Sequence, residues 1–400
     1  MKVIKIKKCR LCNNRKLEKI HNFGNFYVST FLENKNVKPI MAPLSLVYCK
    51  VCKLLQLEHS APQEIMYKQY YWYKSGINKT MIKSLKELSS EIKKFIKLKA
   101  NDIILDIGAN DGTLLKNFKK NITIGCEPAK NLKKDLKSNS KYQINDFWNR
   151  ENYNKLAKSK KLTKAKVITA IGMFYDLEDP NKFIKDAADC LEDDGIFVAQ
   201  LMCLQDMLET NDMGNICHEH LEYYSYESLK YLFENNGFKI FKIFKNNVNG
   251  GSYRIYCKKN INKSFRIKEK SGIIEIKKFI KRVEDNRIKT INFINKIIKD
   301  NKKIFVYGAS TKGNTILQYY KLTSKHIKYA ADRNPVKWGK YTVGSKIKII
   351  SEETARKLKP DYFFILPWGF IKEFKKREIS WLKKGGVFIV PFPKLKIIKE

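Results

Sequence analysis

The segment Ile216-Cys217-His218-Glu219-His220-Leu221-Glu222 sets two of the chain's five histidines on either side of one carboxylate. Histidine titrates near neutral pH, so this triplet suits either proton transfer or metal ligation. The spacing is not the His-Glu-x-x-His that puts two imidazoles on one face of a zinc protease helix. Locally both chemistries stay open, and the surrounding elements have to decide between them.

A second group of chemically competent residues lies near the front of the chain. Cys9-Arg10-Leu11-Cys12 and Cys49-Lys50-Val51-Cys52 are two CxxC turns, each able to present two thiolates to one ion. Cys9, Cys12, Cys49 and Cys52 together would close a tetrahedral Zn2+ site with no open position, hence a structural one. A redox dithiol would need only one such pair. A zinc ribbon that grips nucleic acid is the functional rival to a purely architectural module. The loop between the pairs has strand-like residues at Asn25-Phe26-Tyr27-Val28.

The central third is built to hold a ligand at the edge of a sheet. Helical periodicity over Lys83 to Leu98 leads into the apolar strand Ile103-Ile104-Leu105-Asp106-Ile107, which ends in Gly108-Ala109-Asn110-Asp111-Gly112 and opens a helix. A second strand, Ile122-Thr123-Ile124-Gly125-Cys126, ends in Glu127, about twenty residues after the turn, where an acid accepts hydrogen bonds from ribose hydroxyls. Acids at Asp106 and Asp111 disfavour a pyrophosphate and favour a cofactor without phosphate. These residues resemble a class I S-adenosylmethionine-dependent methyltransferase over about residues 80–260. The resemblance implies cofactor contacts from Asp106, Gly108, Asn110, Asp111, Gly112 and Glu127, with Asp146 and Phe147 flanking the adenine. Val167 to Tyr175 would be the strand facing the methionine moiety, and Leu191 to Ala199 a later strand of the same sheet. The aromatic stretch Tyr71-Trp72-Tyr73-Lys74-Ser75-Gly76 reads either as a cover for the cofactor or as a packed helix entry.

After a helical stretch at Phe265 to Asp300, a second strand-turn-helix begins at Lys303-Ile304-Phe305-Val306-Tyr307 and continues into Gly308-Ala309-Ser310-Thr311-Lys312-Gly313-Asn314-Thr315. A glycine turn at a helix start makes an anion or nucleotide site. Ala331-Asp332-Arg333-Asn334-Pro335 follows a further strand, and Gly385 to Pro391 closes the region.

With the four-cysteine module, the methyltransferase core and the His-Glu-His triplet, these segments make the whole chain resemble the sugar-nucleotide C-methyltransferases of deoxysugar biosynthesis. The implied fold class is α/β: a class I methyltransferase Rossmann-like core, an N-terminal zinc-binding module and a second, smaller C-terminal Rossmann-like α/β domain. The boundaries fall at residues 1–65, 66–262 and 263–400. The implied cofactors are S-adenosylmethionine and structural Zn2+, and the implied partner is a nucleotide-diphosphate-linked 4-keto-6-deoxy sugar. By the same resemblance His220 is the general base, Glu219 and His218 arrange it, and Tyr73 joins the catalytic group. Tyr71, Ser310, Lys312, Asn314 and Asp332 fall to the substrate. Cys217 departs from the pattern, since characterised members often carry Tyr before His-Glu-His.

Composition sets outer limits. The formal charge of +40 comes from 80 Lys and Arg against 40 Asp and Glu, but the lysines are spread through every segment between apolar residues. Ile92-Lys93-Lys94-Phe95-Ile96-Lys97 shows the pattern of a solvated helix face rather than a concentrated patch. No nucleic acid partner is therefore expected, although an RNA methyltransferase stays a rival, as do O- and N-methyltransferases. No apolar run reaches the length of a membrane span, the basic N-terminus lacks the apolar core of a signal peptide, and nine cysteines fit a reducing compartment. The expected location is cytoplasmic.

Overall fold

In the computed structural model, which describes residues 2–262 and 264–400, seven strands form the central sheet. Lys263, where the sequence places the start of the third domain, lies outside the described residues. The strand order is Lys239–Asn246, Ser252–Lys258, Leu191–Met202, Ala165–Ile171, Ile103–Ile107, Ile122–Cys126, Tyr142–Ile144. Ser252–Lys258 is antiparallel to both its neighbours, and the other pairings are parallel. The chain enters at Ile103–Ile107, builds outward on one side, then crosses back to Ala165–Ile171 on the other. A crevice must open where the order reverses, outside the carboxyl ends of those two strands. Ile103–Ile107 is buried at every position, because helices cover both faces of a parallel sheet.

Helix Lys79–Phe95 packs through Leu85, Leu88 and Ile92, spaced to share one face, and begins four residues before the periodicity predicts. Its start is set by Asn78, whose side chain accepts the Thr80 N–H at 2.9 Å. The long helix Ile273–Lys299 buries Ile276, Phe279, Val283, Asn286, Thr290, Ile294 and Ile297, a stripe at helical spacing. It starts eight residues later than the sequence suggests. Its Asn286 donates to the Pro391 carbonyl (2.6 Å) and accepts from Leu395 N–H (2.8 Å), fastening the end of the chain.

The C-terminal sheet has five parallel strands at its centre, in the order Val387–Val390, Tyr362–Ile365, Ile304–Tyr307, Tyr329–Asp332, Lys348–Ser351. Lys396–Ile398 and Tyr341–Thr342 flank them, antiparallel.

The N-terminal module does not stand apart from either domain. Its Phe31–Leu32 pairs with Tyr341–Thr342 and becomes the outermost strand of the C-terminal sheet. Its own sheet, Leu17–Tyr27, Met41–Cys49 and Leu55–Leu57, gains a fourth strand, Glu222–Tyr223, from the segment that carries the His-Glu-His triplet. The sequence boundaries at 65 and 262 therefore cut across two strand exchanges.

The second exchange buries a carboxyl group beside a guanidinium. Glu222 is fully buried, and among the described residues neither of its carboxylate oxygens has a hydrogen-bond partner. Arg10, between two of the cysteines, brings its Nε to 3.8 Å from Glu222 Oε1. The same guanidinium donates to the Leu57 carbonyl (2.6 Å) and to Ser60 Oγ (2.7 Å). Removing one partner of a buried ion pair costs about 3–5 kcal/mol, whereas replacing both with apolar groups is often nearly neutral. Arg10→Leu should therefore lower the thermal midpoint sharply, and Arg10→Leu/Glu222→Leu should recover most of the loss. A double variant whose loss equals the sum of the single ones, measured by denaturant unfolding, would show that the two charges are independent.

Candidate active site

A cavity of about 510 Å³ opens at the crevice and runs from the methyltransferase core to the C-terminal domain. Its inner end holds the residues that the glycine turn and second strand deliver. Glu127 Oε2 accepts the Asn110 N–H and Oε1 the Ala129 N–H, both at 2.9 Å. Each oxygen keeps a lone pair, which is what two ribose hydroxyls require. Burial raises the Glu127 carboxyl above its ordinary value, and the two N–H donors pull it back. Asp106 lines the same end; burial pushes its carboxyl up to about 7, against the Thr169 hydroxyl that donates to it at 2.6 Å. Gly108 adopts φ +70°, and a Cβ there would fall 2.6 Å from Met173 Cγ, so the turn has no room for a side chain. With Phe147 at the wall, the donors, acceptors and size fit S-adenosylmethionine.

Asp111 and Gly112, expected to touch the cofactor, do not line the cavity. Asp111 Oδ2 accepts the Gly76 N–H at 2.8 Å, and Asn110 Oδ1 accepts the Ser75 N–H at 2.9 Å while its amide donates to the Tyr73 carbonyl at 3.1 Å. The two side chains thus pin the segment Tyr73–Gly76 against the turn, and Asn110 alone of the pair also faces the cavity. Gly112 packs against the helix Lys133–Asn139, where a Cβ would meet Asn139 Cβ at 2.7 Å. Asp146 is half-exposed, accepts from Lys68 Nζ at 3.1 Å, and positions the neighbouring Phe147 rather than lining the cavity itself. Tyr71 and Tyr73 both line the cavity, so the aromatic stretch does cover the site.

At the middle of the cavity lies His220. Its ring is edge-on to Tyr175 (centroids 4.5 Å apart), and its Nδ1 is 2.8 Å from the Asn215 carbonyl. A carbonyl only accepts, so Nδ1 carries the proton and Nε2 keeps a free lone pair. Burial, and then the positive charge of Lys312, hold its basicity well below the ordinary histidine value. Glu219 and Cys217 share this part of the wall. His218 does not: it points the opposite way, Nε2 3.1 Å from the Ala42 carbonyl of the N-terminal module. The chain turns at His218-Glu219, where the His220 N–H donates to the Cys217 carbonyl at 3.1 Å, so the two imidazoles leave it in different directions and do not serve one site. The triplet joins a cavity residue to a domain anchor.

The C-terminal domain closes the cavity with Ser310, Thr311, Lys312 and the Pro367–Phe370 turn. Ser310 caps the helix Thr311–Tyr319 by accepting from Gly313 N–H at 3.0 Å. Asn314 and Asp332, expected beside them, lie elsewhere. Asn314 donates to the Thr30 carbonyl at 2.9 Å and ties the helix to the N-terminal module. Asp332 is occupied by its own domain, accepting from Asn334 N–H at 2.8 Å with Lys337 Nζ at 3.4 Å.

Four residues at the heart of the site escape a reading of the motifs. Asp176 and Tyr67 line the cavity, and Asp176 Oδ1, like Glu219 Oε2, is buried with no hydrogen-bond partner among the described residues. Asp176 follows closely on the carboxyl end of strand Ala165–Ile171, a position that flags it once the sheet is known. Asn215 and Asp212 carry no such signal; they matter because Asn215 holds His220, and its amide donates to Asp212 Oδ2 at 3.0 Å.

The four cysteine sulfurs lie within 4.8 Å of one another, with Cys9–Cys52 at 3.5 Å and Cys12–Cys49 at 3.4 Å. Zinc–sulfur bonds of about 2.3 Å put the sulfurs of a tetrahedral site roughly 3.8 Å apart. Gln56 donates to Cys9 Sγ at 3.2 Å, as an outer partner of a thiolate ligand does. Zinc here is structural: four thiolates fill its coordination.

Comparison with known proteins speaks to the domains. Three family models match consecutive stretches: a zinc binding domain over residues 9–67, a methyltransferase domain over 77–243 and the C-methyltransferase C-terminal domain over 247–393. The chain is 26% identical to the C-methyltransferase NovU of Streptomyces niveus over 98% of its own length and 97% of that protein's. Among solved structures, it resembles magnesium protoporphyrin IX methyltransferase from Synechocystis PCC 6803 with bound S-adenosylmethionine. That match has 8% identity and a TM-score of 0.34, and covers 45% of this chain and 79% of that one. A methyltransferase of Clostridium acetobutylicum gives 12%, 0.32, 44% and 91%. The methyltransferase domain model and the full-length likeness to a C-methyltransferase make the chain an S-adenosylmethionine-dependent methyltransferase. Its zinc-binding and C-terminal domains match the models for those of the C-methyltransferases.

The anchoring role of His218 can be measured. Burial lowers its pKa to about 4, so between pH 6.5 and 4 the unfolded chain binds a proton that the folded one refuses. Its contribution to stability is present above pH 6.5 and is lost as pH falls through that window. His218→Gln should flatten this part of the stability profile while changing turnover by no more than about threefold. Loss of turnover with an unchanged pH–stability profile would instead place His218 in the chemistry. Chelating the zinc should raise amide exchange across residues 217–224, which pair with the module; unchanged exchange would show that the strand holds without it.

Proposed function

We propose that this C-methyltransferase acts on a carbon of a nucleotide-diphosphate-linked 4-keto-6-deoxy sugar, with His220 as the base that makes that carbon nucleophilic. The observation that carries the reading is the fixed tautomer of His220: Nδ1–H is held by Asn215, which leaves Nε2 as the basic nitrogen of a residue that lines the cavity. S-adenosylmethionine, when bound by Asp106, Gly108, Asn110, Glu127 and Phe147, supplies an electrophilic methyl group. A methyl group of that kind needs a carbanion-like partner, and carbon becomes one only when a proton beside a carbonyl is removed. A neutral imidazole can take that proton; an imidazolium cannot. The dry surroundings, and after them the field of Lys312, favour the neutral form of His220.

The unpartnered oxygens of Asp176 and Glu219 supply acceptors for sugar hydroxyls in the same cavity. Ser310, with the N-terminus of helix Thr311–Tyr319, offers donors to the phosphate end. Tyr71 and Tyr73 cover the assembly. This reading favours a role in deoxysugar biosynthesis. Transfer to oxygen or nitrogen needs no enolisation, and so predicts no exchange of the proton beside the ketone. An RNA substrate would predict binding that weakens steeply with salt.

His220→Asn should abolish methylation by about 100-fold or more while leaving cofactor binding by calorimetry unchanged. In D2O the wild type should wash deuterium into the ketosugar, and the variant should not. The acidic limb of the wild-type rate profile should lie below the ordinary histidine value of 6.5, because a depressed pKa keeps the base unprotonated to lower pH. Full methylation by His220→Asn would end the assignment.

A further inference from the structure

The His220 end of the cavity poses a problem of charge. Asp176, Glu219 and Asp212 face it, and the first two have oxygens with no hydrogen-bond partner among the described residues. An enolate formed beside them places a negative charge in surroundings that penalise it strongly. Some group must carry positive charge or donate to that oxygen, or the proton will not leave carbon.

Among the described residues that line the cavity, two carry an ammonium group. Lys182 is committed elsewhere: its side chain is 63% exposed, and its Nζ pairs with Asp186 at 2.6 Å. Lys312 is the other. It reaches over from the C-terminal domain and donates to Asn215 Oδ1 at 2.5 Å, while the backbone carbonyl of the same Asn215 holds His220. One asparagine thus sets both the base and the ammonium. Only one of the three ammonium N–H groups is taken by Asn215. The Lys312 charge acts on His220, Glu219, Asp176 and Asp212 alike, which places it among the groups of the reacting end.

We propose that Lys312 is a catalytic residue, its ammonium holding the enolate oxygen while His220 holds the proton. The inference rests on the ketosugar reading above and moves Lys312 from the phosphate end, where the motif alone puts it, to the reacting carbon. In the step, His220 Nε2 takes the proton from the carbon beside the ketone. The C–H electron pair becomes a carbon–carbon π bond, and the carbonyl π pair moves onto oxygen beside Lys312. As the new C–C bond forms, the ketone is restored and sulfur keeps the electron pair of the broken S–CH3 bond. The imidazolium then gives its proton to solvent. Lys312 stays protonated throughout.

The test compares wild type, Lys312→Met and Lys312→Arg on a nucleotide-linked ketosugar that the wild type methylates, with deuterium wash-in followed in parallel. At saturating sugar, Lys312→Met should lose about 100-fold or more in kcat and in exchange, with KM changed by less than about threefold. Lys312→Arg should recover part of both. The acid limb of the exchange profile should move to higher pH in Lys312→Met and not in Lys312→Arg, since only the former removes the charge that depresses His220. Unchanged S-adenosylmethionine binding in both variants shows that the fold is kept. A raised KM with kcat retained would make Lys312 a phosphate anchor and overturn the proposal, as would exchange at the wild-type rate in Lys312→Met. A wild type that exchanges no nucleotide-linked ketosugar would instead overturn the reading of the substrate, and the assignment with it.

Discussion

Glu222 has no access to water: burial pushes its carboxyl well up, and the positive charge that opposes this is Arg10, which also faces Glu178 at 3.7 Å. Much of the site's construction follows from that pair. Arg10 sits inside the first CxxC turn, so the zinc that fixes this turn also fixes the guanidinium. Glu222 lies two residues after His220, so the guanidinium in turn fixes the strand that ends the catalytic segment. Gln56 closes the loop: it accepts from Arg10, donates to Cys9 and stands opposite Glu222 in the sheet. The four-thiolate metal site lies apart from the cavity yet sets where His220 can stand.

The active-site segment is held from three sides, because a short run of turns cannot bury itself. On one side it pairs with the N-terminal module through Leu221 and Glu222 and through the His218–Ala42 contact. On the second it is sewn to the core, where the Tyr175 carbonyl accepts from Leu221 and Glu222 N–H. On the third, Lys312 of the C-terminal domain takes hold of Asn215. The N-terminal module also reaches that domain directly: Ser29 donates to the Thr311 carbonyl and Asn314 to the Thr30 carbonyl. The helix bearing Lys312 is therefore placed by a module that shares no chemistry with it.

The electrostatics of the cavity follow from this confinement. Burial raises the carboxyls of Asp106, Asp176 and Glu219 and lowers the imidazole of His220, each shift disfavouring the charged form. A base kept neutral among acids that resist ionising is suited to removing a proton from carbon, provided that one cation balances the charge produced.

Sequence alone determined the parts with a local cause. The CxxC pairs announce their metal because two residues between cysteines make a turn that presents both thiolates to one ion. The strand Ile103–Ile107 and its glycine turn announce a cofactor edge, since an apolar run buried on both faces and a side-chain-free turn are legible in residue types. Ser310, Lys312, Glu127 and His220 follow from the same logic and do face the cavity. What only the tertiary structure decided is which neighbour in a motif points where. His218 and His220, or Asn110 and Asp111, look equivalent in sequence; one of each pair faces the cavity because the other is held by a strand 176 residues away or by a covering segment. Asn314 and Asp332 fit a nucleotide motif but were claimed by nearer partners, Thr30 and Lys337. Asp176, Asn215 and the Arg10–Glu222 pair were invisible for the converse reason. Their importance lies in desolvation and in contacts between distant segments, and neither is a property of any short stretch of chain.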